Sequence, residues 1–280
     1  MKGTFTTLNP EAKIFSELKS NRPVWWNLLC EDKELYIDIR KDNYLNVYYF
    51  GGSVAKITYK DDFVAETHQK YLGDDKPRGK TKKDKDKFVY DKIDLDNFKA
   101  EKLTKIKNYI KSDYLKHIDN ESPAEKWIQG KIICENPNYI DSELQFNKDK
   151  NIGKLRIDLI ELSKGILTFV ELKGISDSRL RNDKERNRKI PEIICQMKKY
   201  RLFIEKYEAD IKEYYKRLIK IKQDLAIISL DTSDLTVNNT PKLLIADTYQ
   251  KMTPEREERI QDIKMLLKEY NIDYEIVKWK

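Results

Sequence analysis

The chain has 280 residues, of which 39% are apolar and 37% charged, with 17 Tyr and 4 Trp. That length can bury a sizeable core as one large or two ordinary domains, and so aromatic and patterned a chain is not intrinsically disordered. The 55 basic residues exceed the 48 acidic ones by a formal charge of +7, which favours a polyanionic partner such as nucleic acid.

In chain order, "NPEAKIFSELKSN" opens as a helix, with Asn9 as a cap and Pro10 in the first turn. The runs "ELYIDI", "NYLNVYYF" and "SVAKITY", separated by "RKDN" and "GG", read as an antiparallel meander. Residues 74–92 hold eight basic and five acidic residues and read as a solvated loop. "DLDNFKAEKLTKIKNYIKSDYLKH" is a polar amphipathic helix. A domain boundary is expected near residue 120, giving an N-terminal accessory α+β domain, 1–120, and a second domain, 121–280.

The second region has a different order. "SPAEKWIQGKIICEN" is a helix with Ser122 as cap and Pro123 at its first position. "NYIDSELQF" is a strand, and "LRIDLIELSKGILTFVELKG" forms two strands around a Ser-Lys-Gly turn. A long helix follows Pro191. "DLAIISL" and "KLLIADT" read as strands, "TPEREERIQDIKMLLKEY" as a helix and "DYEIVKW" as a last strand. The fold class is α/β (α+β), a mixed sheet flanked by helices. In the long helix Ile193, Met197, Tyr200, Ile204, Tyr207, Ile211, Tyr214, Leu218 and Ile221 form a heptad seam. Packing within the chain is the simpler reading of that seam, and a homodimer through residues 193–221 is the other.

Cys30, Cys134 and Cys195 are scattered and odd in number, as expected of reduced thiols. With only His68 and His117, a zinc site or a His-dependent hydrolase is poorly supplied. The opening residues lack a signal-peptide core, and no run approaches the ~18 apolar residues of a membrane span. A soluble, cytoplasmic protein without a membrane partner is the expectation.

Three charges interrupt the two apolar strands at 155–174. Ionised groups are almost never fully buried unless paired or bound to a metal. Glu171 and Lys173, two apart, point to one face of a strand, and Asp158 lies on the neighbouring hairpin arm. Two converging carboxylates are hard ligands for a magnesium-type cation, with the Leu172 carbonyl as a third oxygen. Lys173 can hold an attacking water or neutralise charge on a phosphate.

Asp158, twelve intervening residues and then Glu-Leu-Lys resemble the signature of the PD-(D/E)XK nuclease superfamily. So does the order helix, hairpin, strand, helix around them, over roughly residues 121–230. Gln196 and Tyr200 in "CQMKKY" resemble the QxxxY motif of its RecB-like branch. Two departures are visible: Gly153 lies five positions before Asp158 rather than close to it, and no iron–sulfur cysteine set is present.

The resemblance implies a restriction-endonuclease-like fold and a Mg²⁺- or Mn²⁺-dependent nuclease acting on DNA in preference to RNA. Asp158 and Glu171 would bind the metal, Lys173 would be the catalytic lysine, and Gln196 and Tyr200 would orient ligands or contact phosphate. Glu125 best matches the helix glutamate of the family, although "SPAE" is also a capping box; Glu143 is the competing acid. In the basic loop 178–189, Arg179, Arg181, Arg186, Arg188 and Lys189 are candidates for backbone contact. Two other readings are a catalytically silent nucleic-acid-binding member of the fold and a helical interaction protein.

Overall fold

The computed structural model describes residues 8–73, 90–115, 124–147, 149–181, 190–230 and 234–279. Among them are six α-helices and two β-sheets, a mixed α/β architecture without a barrel. No helix among them is long and apolar enough to cross a membrane. The three cysteines are unbridged.

The first sheet runs in chain order as β1 (Leu35–Arg40), β2 (Tyr44–Tyr49), β3 (Gly52–Tyr59), β4 (Phe63–His68) and β5 (Tyr90–Ile93), antiparallel throughout. On β2, Leu45, Val47 and Tyr49 turn into the core while Tyr44, Asn46 and Tyr48 stay half-buried on the opposite face. The β2–β3 turn is a two-residue loop with positive φ at both Phe50 and Gly51, a geometry that matches the twist of the strands it joins. The sequence predicts β1 to β3; β4 and β5 extend the meander. β5 is a short edge strand whose Asp91 and Lys92 suit a blunted sheet edge, and it closes a stretch that composition alone assigns to a loop.

Helices α1 (Lys13–Asn21), α2 (Val24–Glu31) and α3 (Ala100–Leu115) pack against this sheet. Asn9 does not cap α1. The helix starts four residues later with Ala12 in the cap position, and the Asn9 side chain instead accepts the Glu11 N–H at 3.1 Å in a local turn.

The second sheet holds β6 (Tyr139–Phe146), β7 (Leu155–Ser163), β8 (Ile166–Gly174), β9 (Thr236–Val237), β10 (Lys242–Asp247) and β11 (Asp273–Lys278). Its order is β11-β10-β8-β7-β6, with β9 beside β8; β6, β7 and β8 are antiparallel, and β8, β10 and β11 parallel. β8 and β10 are buried almost end to end, as strands covered on both faces must be. Helices α4 (Glu125–Glu135), α5 (Glu192–Asp224) and α6 (Pro254–Glu269) complete this half.

The heptad positions of α5 are buried within the chain except half-buried Tyr207, Ile193, Ile204, Ile211 and Leu218 fully so, and the helix bends at Tyr207, whose φ/ψ are non-helical. The strand expected across "DLAIISL" is absent. α5 runs to Asp224, Ala226 takes a left-handed conformation, and the Ile227 N–H returns to the Lys222 carbonyl at 2.8 Å. That helix-closing geometry uses the backbone groups a strand would need. The expected boundary near residue 120 and the capping residues Ser122 and Pro123 lie outside the described residues. α4 itself begins at Glu125, with Ala124 in the cap position and no side-chain cap. Glu125 is therefore the first helical residue rather than the third residue of a capping box.

One apolar cluster runs through both halves, from Leu45 and Val47 to Phe169 and Phe203. Two further features join them. α4 rests on the β2–β3 turn so closely that a Cβ at Gly130 would lie 2.3 Å from the Phe50 Cα, and one at Gly51 would lie 2.4 Å from the Lys126 carbonyl oxygen. Beside them β1 meets β6 and α5 in a buried charge network. Arg40 pairs with Asp38 at 2.8 Å and Asp141 at 3.3 Å, Tyr215 donates to Asp141 at 3.0 Å, and Lys222 donates to the Ile140 carbonyl at 2.5 Å and lies 3.7 Å from Asp38.

Two predictions follow from this joint. Gly130→Ala forces α4 off the turn against backbone atoms that cannot rotate away; a loss of about 1–3 kcal/mol is expected in urea unfolding. Burial, with Asp38 alongside, pushes the Asp141 carboxyl up to about 6. Between about pH 4 and 6 the native chain then holds a proton that the unfolded chain has released, so this stabilisation is complete below about pH 4 and lost as the pH rises. Asp141→Asn is expected to flatten that part of the stability–pH curve, measured by urea melts across the window; an unchanged slope would assign it to other groups.

Candidate active site

The site forms where two paired strands part. The ladder between β7 and β8 stops at Leu159↔Val170. Beyond that point β7 continues against β6 through Ile157, Arg156 and Leu155, and β8 continues against β10 through Glu171, Leu172 and Lys173. Parting leaves backbone groups of both strands without their partners, and side chains take over. The Asp158 carboxylate accepts the Leu172 N–H at 3.0 Å, and Gln129 of α4 donates to the Asp158 carbonyl at 2.6 Å.

Asp158, Glu171 and Lys173 project into this fork, with residue exposures of 5%, 2% and 1%. The Lys173 ammonium is their common partner. It lies 2.5 Å from Glu171 Oε1, 2.5 Å from the Leu172 carbonyl oxygen, 3.5 Å from Asp158 Oδ2 and 3.7 Å from Glu125 Oε2. Burial works to lower the Lys173 pKa, but Glu171, Asp158 and Glu125 together hold it above its ordinary value, so the amine stays charged. Burial and the neighbouring Asp158 push the Glu171 carboxyl up to about 7. Burial raises Glu125 as well, against the pull of Lys173.

From α5, Gln196 Nε2 donates to Glu171 Oε1 at 2.6 Å and to the Tyr200 hydroxyl at 2.7 Å. The Tyr200 hydroxyl lies 2.7 Å from Glu171 Oε2 and also contacts the Arg156 carbonyl. Both residues therefore reach the fork, and Tyr200 does so while its ring fills a heptad core position.

Of the other residues picked from the sequence, Glu125 borders the site and lies 3.6 Å from Arg179 Nη2. Arg179 is clamped by Asp177 at 2.5 Å, which raises the guanidinium above its already high value. Arg181 is exposed and lines a separate groove with α6. Glu143 does not reach the fork: it pairs with Lys126 at 3.0 Å and Arg156 at 3.2 Å. Arg186, Arg188 and Lys189 lie outside the described residues.

The fork opens into a groove of about 430 Å³, rimmed by Lys154, Arg156 and Lys199 as well as Arg179. Of these, Lys154, Arg156 and Lys199, and Gln129 behind Asp158, are not picked out by the sequence reading. Their only local signals are strand and helix spacing: Arg156 lies two before Asp158, Gln129 four after Glu125 and Lys199 three after Gln196.

Among the described residues, no three His, Cys, Asp or Glu side chains are already arranged as a metal-binding group. The donor chemistry nonetheless suits a small hard cation: three carboxylates and a carbonyl, all oxygen, converge on a single positive charge, which here is the Lys173 ammonium. Searches against protein families, curated proteins and solved structures find no match for the chain.

Tyr200→Phe keeps the buried ring and removes the hydroxyl beside Glu171. The expected cost is about 1–3 kcal/mol in equilibrium unfolding, because a buried carboxylate loses a hydrogen-bond partner. A cost near zero would mean that Gln196 and Lys173 satisfy Glu171 without it.

Proposed function

We propose that the chain is a metal-dependent nuclease that hydrolyses phosphodiester bonds in DNA. Its chemistry would lie in a restriction-endonuclease-like unit, residues 121–280, and residues 1–120 would form an accessory domain. The observation that carries this reading is the convergence of Asp158, Glu171, the Leu172 carbonyl and Lys173 at the fork, with Gln196 and Tyr200 both bound to Glu171. Those are the positions that the PD-(D/E)XK resemblance assigns, and a basic rim suits the phosphates of the substrate.

Asp158 and Glu171 would hold Mg²⁺ or Mn²⁺, with the Leu172 carbonyl as a third oxygen and Glu125 at the open side. The bound cation would supply a more acidic water and Lewis-acid stabilisation of charge on the phosphate. Lys173 stays protonated among its acids and so acts as a donor rather than a base: it would orient the attacking water and face the charge that builds on the phosphate oxygens. Water would then add to phosphorus as the bond to the leaving oxygen breaks, its proton passing to solvent in the open groove and the leaving oxygen taking one up. Gln196 and Tyr200 hold the Glu171 carboxylate in one orientation, so little reorganisation is left for the reacting state. Arg179, fixed by Asp177 beside Glu125, would grip a neighbouring phosphate.

The test is cleavage of linear, circular and single-stranded DNA with Mg²⁺ or Mn²⁺ by the native chain, Lys173→Ala and Asp158→Ala. Metal-dependent cutting reduced at least about a hundredfold by either substitution is expected. Cutting that survives both would refute the assignment of the fork as the active site. Calorimetry with Mg²⁺ alone reads the metal separately: binding by the native chain, lost in Asp158→Ala, is expected, with a matching rise of Tm in the native chain alone.

A further inference from the structure

The outward face of the first sheet carries side chains that neither the core nor the acidic fork uses. Cross-strand pairing aligns Asn46, Lys56, Glu66 and Lys92 in one row and sets His68 beside Tyr90 in the next. A groove of about 520 Å³ runs over this face, lined by Tyr44, Lys56, Glu66, Lys70, Tyr90 and Lys126 among others. Its rings and cations are interleaved. The Lys56 ammonium lies 4.9 Å from the centre of the Tyr44 ring, Lys70 lies 4.9 Å from that of Tyr71, and the Tyr90 ring is 48% exposed. Lys70 also pairs with Asp113.

This groove is linked to the fork. Lys126 lines it and follows Glu125, which lines the other groove. Glu143 holds Lys126 at 3.0 Å and Arg156 at 3.2 Å, and Arg156 lines the fork groove. The Lys126 and Arg156 side chains remain 46% and 52% exposed, while Glu143 is only 16% exposed. One sunken carboxylate thus spaces two accessible cations between the grooves, and their local sum is positive. That is a structural use for the acid that sequence alone offers as a rival to Glu125.

We infer that this face is a track for single-stranded nucleic acid leading to the acidic fork, with Tyr44 and Tyr90 taking unpaired bases and Lys56, Lys70, Lys126 and Arg156 taking phosphates. It rests on the nuclease reading for its destination, whereas the binding itself requires no cleavage. Rings open to solvent, widely at Tyr90 and partly at half-buried Tyr44, have a use where base faces are free, since a duplex stacks its bases inside and offers a surface mainly phosphate and sugar. An acidic peptide would engage the lysines and leave the tyrosines without a role.

The experiment is fluorescence anisotropy of a labelled oligothymidylate with the full chain in EDTA, over a salt series, beside a duplex of equal length. Tyr44→Ala/Tyr90→Ala is expected to weaken single-strand binding about tenfold or more and to leave duplex binding unchanged, while Tyr44→Phe/Tyr90→Phe retains it. Lys56→Ala is expected to reduce the slope of log K against log salt by about 0.7. If the alanine pair does not fold, judged by near-UV dichroism, Tyr90→Ala at the exposed ring carries the test.

Equal losses for single strand and duplex, no loss at all, or displacement of the oligonucleotide by polyglutamate at equal charge would overturn the inference. Cleavage activity separates the two proposals. If the native chain cuts DNA and the alanine pair binds the single strand as tightly as the native chain, the track fails and the nuclease stands. If the native chain cuts nothing with Mg²⁺ or Mn²⁺ while the alanine pair loses single-strand binding, the track stands and the nuclease fails.

Discussion

The parting of β7 from β8 beyond Leu159 and Val170 is the constraint on which the site depends. A continuous ladder would set Asp158 directly opposite Glu171 and tie up the backbone between them. Divergence frees that backbone, and the lost partners must be replaced. Asp158 does both jobs: its carboxylate takes the Leu172 N–H, and its own carbonyl receives Gln129. The residue that opens the site is thereby locked into it. Divergence in turn requires each strand to have another partner, which β6 and β10 supply. The mixed sheet order is therefore a condition of the site as well as its setting.

α5 couples this fork to the rest of the molecule. Its first turns carry Gln196 and Tyr200 to Glu171, and its last carry Tyr215 and Lys222 to the network that joins β1 to β6. The same helix thus orients the acid of the proposed active site and anchors the first sheet against the second. α4 does likewise from the other side, with Glu125 and Gln129 at the fork and Gly130 against the β2–β3 turn. The two sheets meet directly where β1 faces β6 and also through the helices that bound the site, so the first sheet is built against the site's own supports.

The features legible in the sequence were those with a strong local period or an anomaly in one. The heptad seam of α5, the turn at Ser163–Gly165 and the buried Asp158, Glu171 and Lys173 all belong to this class: each is visible because a pattern is either long or broken by a charge. What escaped was decided by tertiary competition. "LAIISL" has the composition of a strand, yet its first residues close α5. Asn9 and the "SPAE" box have capping chemistry, yet both helices begin elsewhere, with Ala12 and Ala124 in their cap positions. Gln129 and Arg156 share helix and strand spacing with Glu125 and Asp158, but their partners, the Asp158 carbonyl and Glu143, are set by tertiary packing that the spacing does not encode. Glu125 and Glu143 were alternatives in the sequence; the structure brings Glu125 to Lys173 and gives Glu143 to Lys126 and Arg156.

The distribution of charge gives the proposed chemistry a physical logic. Inside the fork three carboxylates face one ammonium, and burial, with Asp158 alongside, raises both Glu171 and Glu125 against the pull of Lys173. Around the mouth the balance reverses, with Lys154, Arg156, Lys199 and Arg179 at the rim. A polyanion is drawn to such a rim but repelled by the acids beneath it unless a cation lies between them. On the proposed reading, the same site would therefore favour divalent cation and phosphate together over phosphate alone. That linkage would make binding of the backbone at the fork depend on the metal, while the tyrosines and lysines of the first sheet, remote from the acids, would hold their strand without it.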